Sequence, residues 1–184
     1  MGRYFGTDGF RGEAGVGLTS DHAYRIGRFL GWYYGKNRSG KVRAVIGKDT
    51  RRSGYMFEYA MAAGFTSSGA DVYMLHVTTT PGVSYAVREG DFDCGVMISA
   101  SHNPFGDNGI KPMNRWGEKI DDGTIDEIEN YLDGAYGEEI PFAKGEAIGR
   151  IIDYSEGRSR YMDHLISLSK YSLRNYKIAL ECAN

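Results

Sequence analysis

The stretch VRAVIGKDTRRSGYMFEYAMAAGFTSSGADVYMLHV, from Val42 to Val77, decides the fold. It opens with one apolar run, residues 42–47, and closes with another, residues 72–77, and each has the length and composition of a buried strand. The residues between them predict a helix that is capped by Ser53 and stops at Gly69. Because a strand, a helix and a second strand follow one another, we expect two parallel strands joined by a right-handed crossover.

The same order continues along the chain. Thr80 is in a position to cap a short helix that has Pro81 at its start and Gly90 after its end. The apolar run CGVMISA, residues 94–100, is then a third buried strand. Upstream, apolar residues spaced three and four apart predict a helix that ends near Gly35. Together these elements predict an α/β fold, a three-layer α/β/α domain with a mixed, mainly parallel sheet.

The flanks of this unit indicate how the sheet and the domain end. The segments GIKPM and EKI are typical of a hairpin at the sheet edge, where the nitrogen of Pro112 needs no hydrogen-bond acceptor. We expect residues 1–150 to form one domain. Residues 151–184 would then be the incomplete start of a second domain, with a helix over 156–169 and the strand YKIALECAN. A lone helix and a lone strand cannot bury their own apolar surfaces.

The composition fits a globular protein and argues against several kinds of partner. The 184 residues are 41% hydrophobic and 25% charged, and the net charge is −2. Since the chain has no long basic run, we expect no nucleic-acid partner. Since no stretch has the length and apolarity of a signal peptide or a membrane span, we expect a cytoplasmic location and no membrane contact.

Polar loops follow all three predicted strands, at the edge where parallel sheets bind ligands. These loops read KDTRRS, TTTP and SHNPFGDN, and Ser101 lies where the third strand ends. Arg11, Lys111 and Arg51 are candidate cations around it, and a serine in that setting is suited to carry a phosphoryl group. Two plainer interpretations stay open: Ser101 only ends a strand, and His102 is a turn residue bonded to backbone. We do not expect His102 to act as a base toward Ser101, because neighbouring side chains of an extended segment point to opposite faces.

Four segments together resemble the α-D-phosphohexomutase family. They are YFGTDGFRG (residues 4–12), GKDTRRSG (47–54), GVMISASHNPFGDNGIK (95–111) and the terminal IALECAN (178–184), in the family's order. The resemblance implies a four-domain isomerase, an intramolecular phosphotransferase whose phosphorylated serine corresponds to Ser101. In such an enzyme the phosphoserine gives its phosphoryl group to a hexose phosphate, and the bisphosphorylated sugar returns the other phosphoryl group.

The resemblance also implies roles for the residues around this serine. Arg11 and Lys111 correspond to catalytic residues that contact the phosphoserine region, and Lys111 is a candidate general base toward the sugar hydroxyl. The other matched positions belong to the substrate and phosphoserine loops: Thr7, Asp8, Arg51, His102 and Asn103.

The cofactor implied by the resemblance is Mg²⁺. The family binds it through one oxygen of the phosphoserine and through three aspartates of a DGDGDR-type loop in the second domain. This sequence contains no DGDGD loop, so only Ser101, through its phosphate, corresponds to a metal ligand. The sugar-binding and phosphate-binding loops of the third and fourth domains have no counterpart either. We therefore expect this chain to be the first part of a longer mutase, inactive alone and weak in Mg²⁺ binding.

The substrate implied is a hexosamine phosphate. The segments are most similar to members that interconvert glucosamine 6-phosphate and glucosamine 1-phosphate. The alternative within the family is a mutase of phosphomannose or phosphoglucose, and the alternative outside it is a non-catalytic phosphosugar-binding module. The missing domains of a parent chain are expected partners. Exchange of the exposed C-terminal strand between two copies would give a homodimer.

Overall fold

The computed structural model describes residues 2–181, which contain one seven-stranded sheet covered by helices. The strands are β1 (Phe5–Gly6), β2 (Gly9–Glu13), β3 (Arg43–Lys48), β4 (Asp71–Val77), β5 (Cys94–Ile98), β6 (Asp107–Met113) and β7 (Ile151–Asp153). The helices are α1 (Ser20–Gly35), α2 (Ser53–Ser67), α3 (Thr80–Glu89), α4 (Asp122–Leu132) and α5 (Glu156–Ser167), with a 3₁₀ turn at Gly145–Ala147.

The strands lie in the order β1-β2-β6-β5-β3-β4-β7. Strand β3 pairs in parallel with both β4 and β5, and β4 pairs in parallel with β7. Strand β6 runs antiparallel to β5 and to β2, and β2 runs antiparallel to β1. Helices α2 and α3 make the two predicted crossovers, and the mixed α/β/α fold is confirmed.

Helices cover both faces of the sheet. Because successive strand residues point to opposite faces, the two cores can be followed along β3. Ala44 and Ile46 pack in the core formed with α1, α2 and α4, whereas Val45 packs in a smaller core with α3. All three side chains are fully buried. The strand ends and edges are thereby left as the accessible parts of the sheet.

Two helix starts differ from the prediction by one residue. Ser53 is already the first residue of α2, so Arg52 holds the N-cap position and no side chain caps this helix. The Ser53 hydroxyl instead accepts a hydrogen bond from Asn108 Nδ2 at 2.9 Å. Thr79, and not Thr80, caps α3. The extended backbone of Thr79 lets its hydroxyl accept an N–H from the first turn of the helix.

The predicted hairpin forms, but its position at the sheet edge is wrong. Lys119 bridges Met113 in the antiparallel sense, and Asn114 N donates to Glu118 O at 2.9 Å. GIKPM is part of β6, which lies inside the sheet between β2 and β5. Pro112 is tolerated there because β2 pairs with β6 only as far as Ile110. The Pro112 carbonyl accepts a hydrogen bond from Ile120 N at 3.4 Å instead of joining that ladder. The position of β6 inside the sheet is therefore set by its pairing with β2, which is distant in sequence, and not by the local residue pattern.

The last part of the described chain continues the same layers. Strand β7 lies beyond the predicted boundary at residue 150, and α5 packs on α3 through Tyr85, which contacts Tyr161 and His164. The division into domains 1–150 and 151–184 stays a prediction. The strand predicted after α5 is not formed over residues 176–181, which are exposed, and residues 182–184 lie outside the described part.

None of the helices within residues 2–181 combines the length and the apolarity that a bilayer span requires.

Candidate active site

The loops after β3, β4 and β5 meet at one edge of the sheet, as the sequence predicts. They line a cleft of about 480 Å³. The loop residues that line it are Asp49, Thr50, Thr78, Thr79, Ser99, Ser101 and His102, together with Thr80 at the start of α3. Ser101 is therefore placed where parallel sheets usually bind their ligands.

Ser101 is exposed and has an unusual backbone conformation. Its φ angle of 57° lies in the left-handed region, which residues with a side chain rarely adopt. This turn brings His102 Nδ1 to 3.4 Å from Ser101 Oγ. The expectation that the two side chains point apart is therefore wrong, because it assumed an extended segment.

Arg51 fixes the loop that carries this serine. Its side chain is only 2% exposed, and its guanidinium donates hydrogen bonds to four backbone carbonyls. The acceptors and their distances are Ser101 O (2.7 Å), Asn103 O (2.8 Å), Pro104 O (2.6 Å) and Asp107 O (3.1 Å). Its Nε donates to Asp49 Oδ2 at 3.0 Å. The structure thus places Arg51 behind the loop, where it replaces the regular hydrogen bonds that this segment lacks.

Further contacts close the loop on itself and on the N-terminal segment. Asn103 Nδ2 donates to Asp107 Oδ2 at 3.0 Å, and its backbone N donates to Ala100 O at 3.1 Å. Gly106 O accepts a hydrogen bond from Ala14 N at 2.9 Å. Asn103 is therefore placed as a residue that shapes the loop, as the resemblance implies.

Arg11 and Lys111 lie on the same face of the sheet, the face covered by α3. Lys111 is paired with Met97, which belongs to the core beneath α3. Arg11 is paired with Gly109, two residues from Lys111, and so points to the same side. A Cβ on Gly109 would lie 2.7 Å from Ser99 O and 3.1 Å from Arg11 Cγ, so this close packing requires glycine.

Lys111 lines a second cleft, of about 430 Å³, together with Thr7 and Asp8. Thr80 borders both clefts. Arg11 forms an ion pair with Asp8, a residue of this second cleft, since its Nη2 lies 2.8 Å from Asp8 Oδ2. Burial, followed by the nearby Arg11 guanidinium, lowers the pKa of Lys111, against the opposite effect of neighbouring aspartates. A lowered pKa makes the neutral amine, the form able to take a proton, easier to reach.

Glu129 of α4 anchors the segment that carries Thr7, Asp8 and Arg11. Its carboxylate accepts hydrogen bonds from the backbone N–H groups of Arg3, Tyr4 and Phe5, each at 2.8 Å. Burial works to raise the pKa of Glu129, but these three donations outweigh it and lower the pKa. The N-terminal loop is thereby fixed to the body of the domain.

Sequence reasoning missed three polar residues of this site. Asp49 and Ser99 each come directly after a strand in the structure. The apolar run predicts that Ser99 lies within the third strand, residues 94–100, so only Asp49 shares the loop position that singled out Ser101. Glu129 is buried beside Ile128, on the part of α4 that packs in the core. A carboxylate on such a face needs buried partners, and this rule would have identified it.

A serine on a fixed loop at the carboxyl edge of an α/β/α sheet, with two cations on the adjoining face, is an arrangement suited to phosphosugar chemistry. Residues 2–137 match the family model described as phosphoglucomutase/phosphomannomutase, alpha/beta/alpha domain I, and the chain belongs to this family. The expected family is therefore confirmed.

Individual members of the family are similar to this chain over its whole length. The chain is 63% identical over 185 residues to a phosphoglucosamine mutase of Lachnospira eligens and 62% identical over 184 residues to one of Lachnoclostridium phytofermentans. In both cases all of this chain is matched, but it spans only 41% and 40% of the relatives' length. A crystal structure of a phosphoglucomutase/phosphomannomutase family protein from Burkholderia thailandensis shares the fold, with a TM-score of 0.73, 24% identity and coverage of 90% of this chain and 35% of that one.

The family to which the chain belongs implies a metal cofactor. Within residues 2–181, no group of three or more histidine, cysteine, aspartate or glutamate side chains is arranged to hold a metal ion. The donor set of this part of the chain therefore does not form a metal site by itself, and Ser101, through a phosphate, stays the predicted contribution.

Proposed function

We propose that this chain is the phosphoserine-carrying part of a phosphoglucosamine mutase, which interconverts glucosamine 6-phosphate and glucosamine 1-phosphate. The observation that carries the proposal is the exposed Ser101 at the ligand edge of the sheet, on a loop fixed by the buried guanidinium of Arg51. The names of the relatives that match over the whole chain support the choice of a hexosamine phosphate.

The proposed reaction moves a phosphoryl group between Ser101 Oγ and the sugar. The P–O bond to Ser101 breaks as a P–O bond to the free sugar hydroxyl forms. The hydroxyl proton passes to a base, and the leaving Ser101 Oγ takes up a proton from an acid group, so that Ser101 becomes a free hydroxyl. The bisphosphorylated sugar then turns round, and its other phosphoryl group returns to Ser101 by the reverse steps. Such transfers depend mainly on in-line positioning and on compensation of charge on the moving group.

Lys111 and Arg11 have the chemistry that these steps need. Lys111 is the proposed base toward the sugar hydroxyl, because burial and the charge of Arg11 lower its pKa. Arg11 is the proposed partner of phosphate oxygens, for which a guanidinium offers a planar pair of donors. Thr7 and Asp8 border the cleft in which Lys111 lies, which supports their role in the substrate loop.

Mg²⁺ is the metal that we propose for the longer protein. Its only predicted ligand from this chain is an oxygen of the phosphate on Ser101, since the described residues offer no ligand cluster of their own. When bound, the ion would supply further compensation of phosphate charge. Cytoplasmic location and a homodimer stay predictions.

The experiment that tests the proposed function is a coupled assay on the longer protein that carries this chain. We expect turnover of glucosamine 6-phosphate to exceed that of mannose and glucose phosphates, and Ser101→Ala to abolish it. Faster turnover of mannose or glucose phosphate would instead support the alternative within the family. Binding of phosphosugars without turnover in the wild type would support a non-catalytic module and contradict the proposal.

A further inference from the structure

Two polar side chains link the body of the sheet to the backbone of Ser101. Asp49 follows β3 and Ser99 follows β5, and the Ser99 hydroxyl donates a hydrogen bond to Asp49 Oδ2 at 2.7 Å. The Ser99 hydroxyl also accepts the backbone N–H of Ser101 at 3.0 Å. Arg51 fixes the carboxylate from the other side, because its backbone N and its Nε donate to Oδ1 and Oδ2, both at 3.0 Å. These contacts form a continuous chain of hydrogen bonds that ends at Ser101.

The Asp49 carboxylate determines which atom donates and which accepts in this series of hydrogen bonds. A carboxylate only accepts hydrogen bonds, so the proton of the Ser99 hydroxyl must point toward Asp49. The lone pairs of that hydroxyl are then left for the N–H of Ser101. An amide at position 49 could donate instead of accept and would remove this fixed direction.

The series of hydrogen bonds ends at a residue whose backbone conformation is unfavourable. Ser101 has a φ angle of 57°, a conformation that costs free energy for a residue with a side chain. Such conformations persist only where the surroundings fix them, and they concentrate at functional sites. Ser99 is 5% exposed, so its contact with Ser101 is shielded from competing water.

We propose that Ser99 and Asp49 are positioning residues for phosphoryl transfer at Ser101, an inference that rests on the proposed function. They hold the Ser101 backbone so that Oγ faces the cleft in one orientation. In-line transfer is sensitive to the placement of the reacting oxygen, and a misplacement of about 1 Å can lower the rate about 100-fold.

The test uses the longer protein with Ser99→Ala and, separately, Asp49→Asn. For both variants we expect kcat to fall about 10-fold to 100-fold, while KM for the hexose phosphate changes less than about twofold. The matched control is Ser68→Ala, which removes a serine hydroxyl that donates to Arg28 O at 2.9 Å between α1 and α2. This control is expected to retain the wild-type kcat.

The outcomes separate this inference from the proposed function. Wild-type kcat in Ser99→Ala, or in Asp49→Asn if the first variant does not fold, would overturn the inference while leaving a phosphorylated Ser101 intact. A loss of stability without a fall in kcat at nearly unchanged KM would overturn the inference as well, because that result would show a purely structural role. Absence of phosphate on Ser101 in the wild type would instead remove the proposed function itself.

Discussion

The loop of residues 99–106 and the segment of residues 168–181 both lack regular secondary structure, but they differ in what holds them. In the loop, the buried guanidinium of Arg51 donates to four carbonyls, and side chains at both ends add further hydrogen bonds. In the C-terminal segment, large apolar side chains such as Tyr171 and Leu180 are 83% and 85% exposed. The comparison teaches that a segment without helix or strand is held where buried polar side chains replace the missing backbone hydrogen bonds. Apolar side chains that stay exposed, as in the C-terminal segment, provide no such contacts.

The largest effect is expected when the polar partner of the loop is removed. Arg51→Ala leaves four backbone carbonyls without their donor and removes one of the hydrogen bonds to the Asp49 carboxylate, and we expect a loss of about 3–5 kcal/mol in the free energy of unfolding. Urea denaturation measures this loss, and hydrogen exchange should show that residues 101–107 lose protection. The control is Arg160→Ala, which removes an exposed pair with Glu156 and should cost no more than about 0.5 kcal/mol. Equal losses of unfolding free energy in Arg51→Ala and Arg160→Ala would contradict the conclusion that Arg51 holds the loop.

A smaller, pH-dependent effect is expected at the N-terminal anchor. Glu129→Gln replaces a carboxylate that accepts three backbone N–H groups, and we expect a cost of about 1–3 kcal/mol at pH 7. The folded-state pKa of Glu129 is lowered, so its stabilisation is fully present above the unfolded pKa and is lost as pH falls through the folded one.

Denaturation of the wild type and of Glu129→Gln at a series of pH values measures this difference. The gap in unfolding free energy should be constant near neutrality and should shrink as the pH falls below about 4.3, the ordinary pKa of glutamate. A gap that widens in acid would show that the carboxylate is not stabilised in the folded state.

The smallest effect is expected in the C-terminal segment. Removal of residues 169–184 deletes exposed side chains of the described part, and we expect the unfolding free energy to change by less than about 0.5 kcal/mol. The contrasting variant is Ile128→Ala in the core, which should cost about 2–5 kcal/mol. A truncation as costly as the core variant would show that the segment is held as firmly as the loop.

The sequence predicts the strands that bury a continuous apolar run, and it predicts which loops meet beyond them. Strands β3, β4 and β5 and the edge that carries Ser101 follow from local patterns. The interior position of β6 does not, because it depends on pairing with β2, about a hundred residues away in sequence. Nor does the burial of Arg51, since a charged residue after a strand usually remains solvated.

The most direct test of the central claim is to locate the phosphate in the longer protein. After incubation with glucosamine 1,6-bisphosphate, the tryptic peptide of residues 89–115 contains both Ser99 and Ser101. Fragmentation by tandem mass spectrometry distinguishes the two positions. We predict one phosphate, on Ser101 and not on Ser99. An unmodified peptide, or a phosphate found only on Ser99, would contradict the assignment of Ser101 as the residue that carries the phosphoryl group.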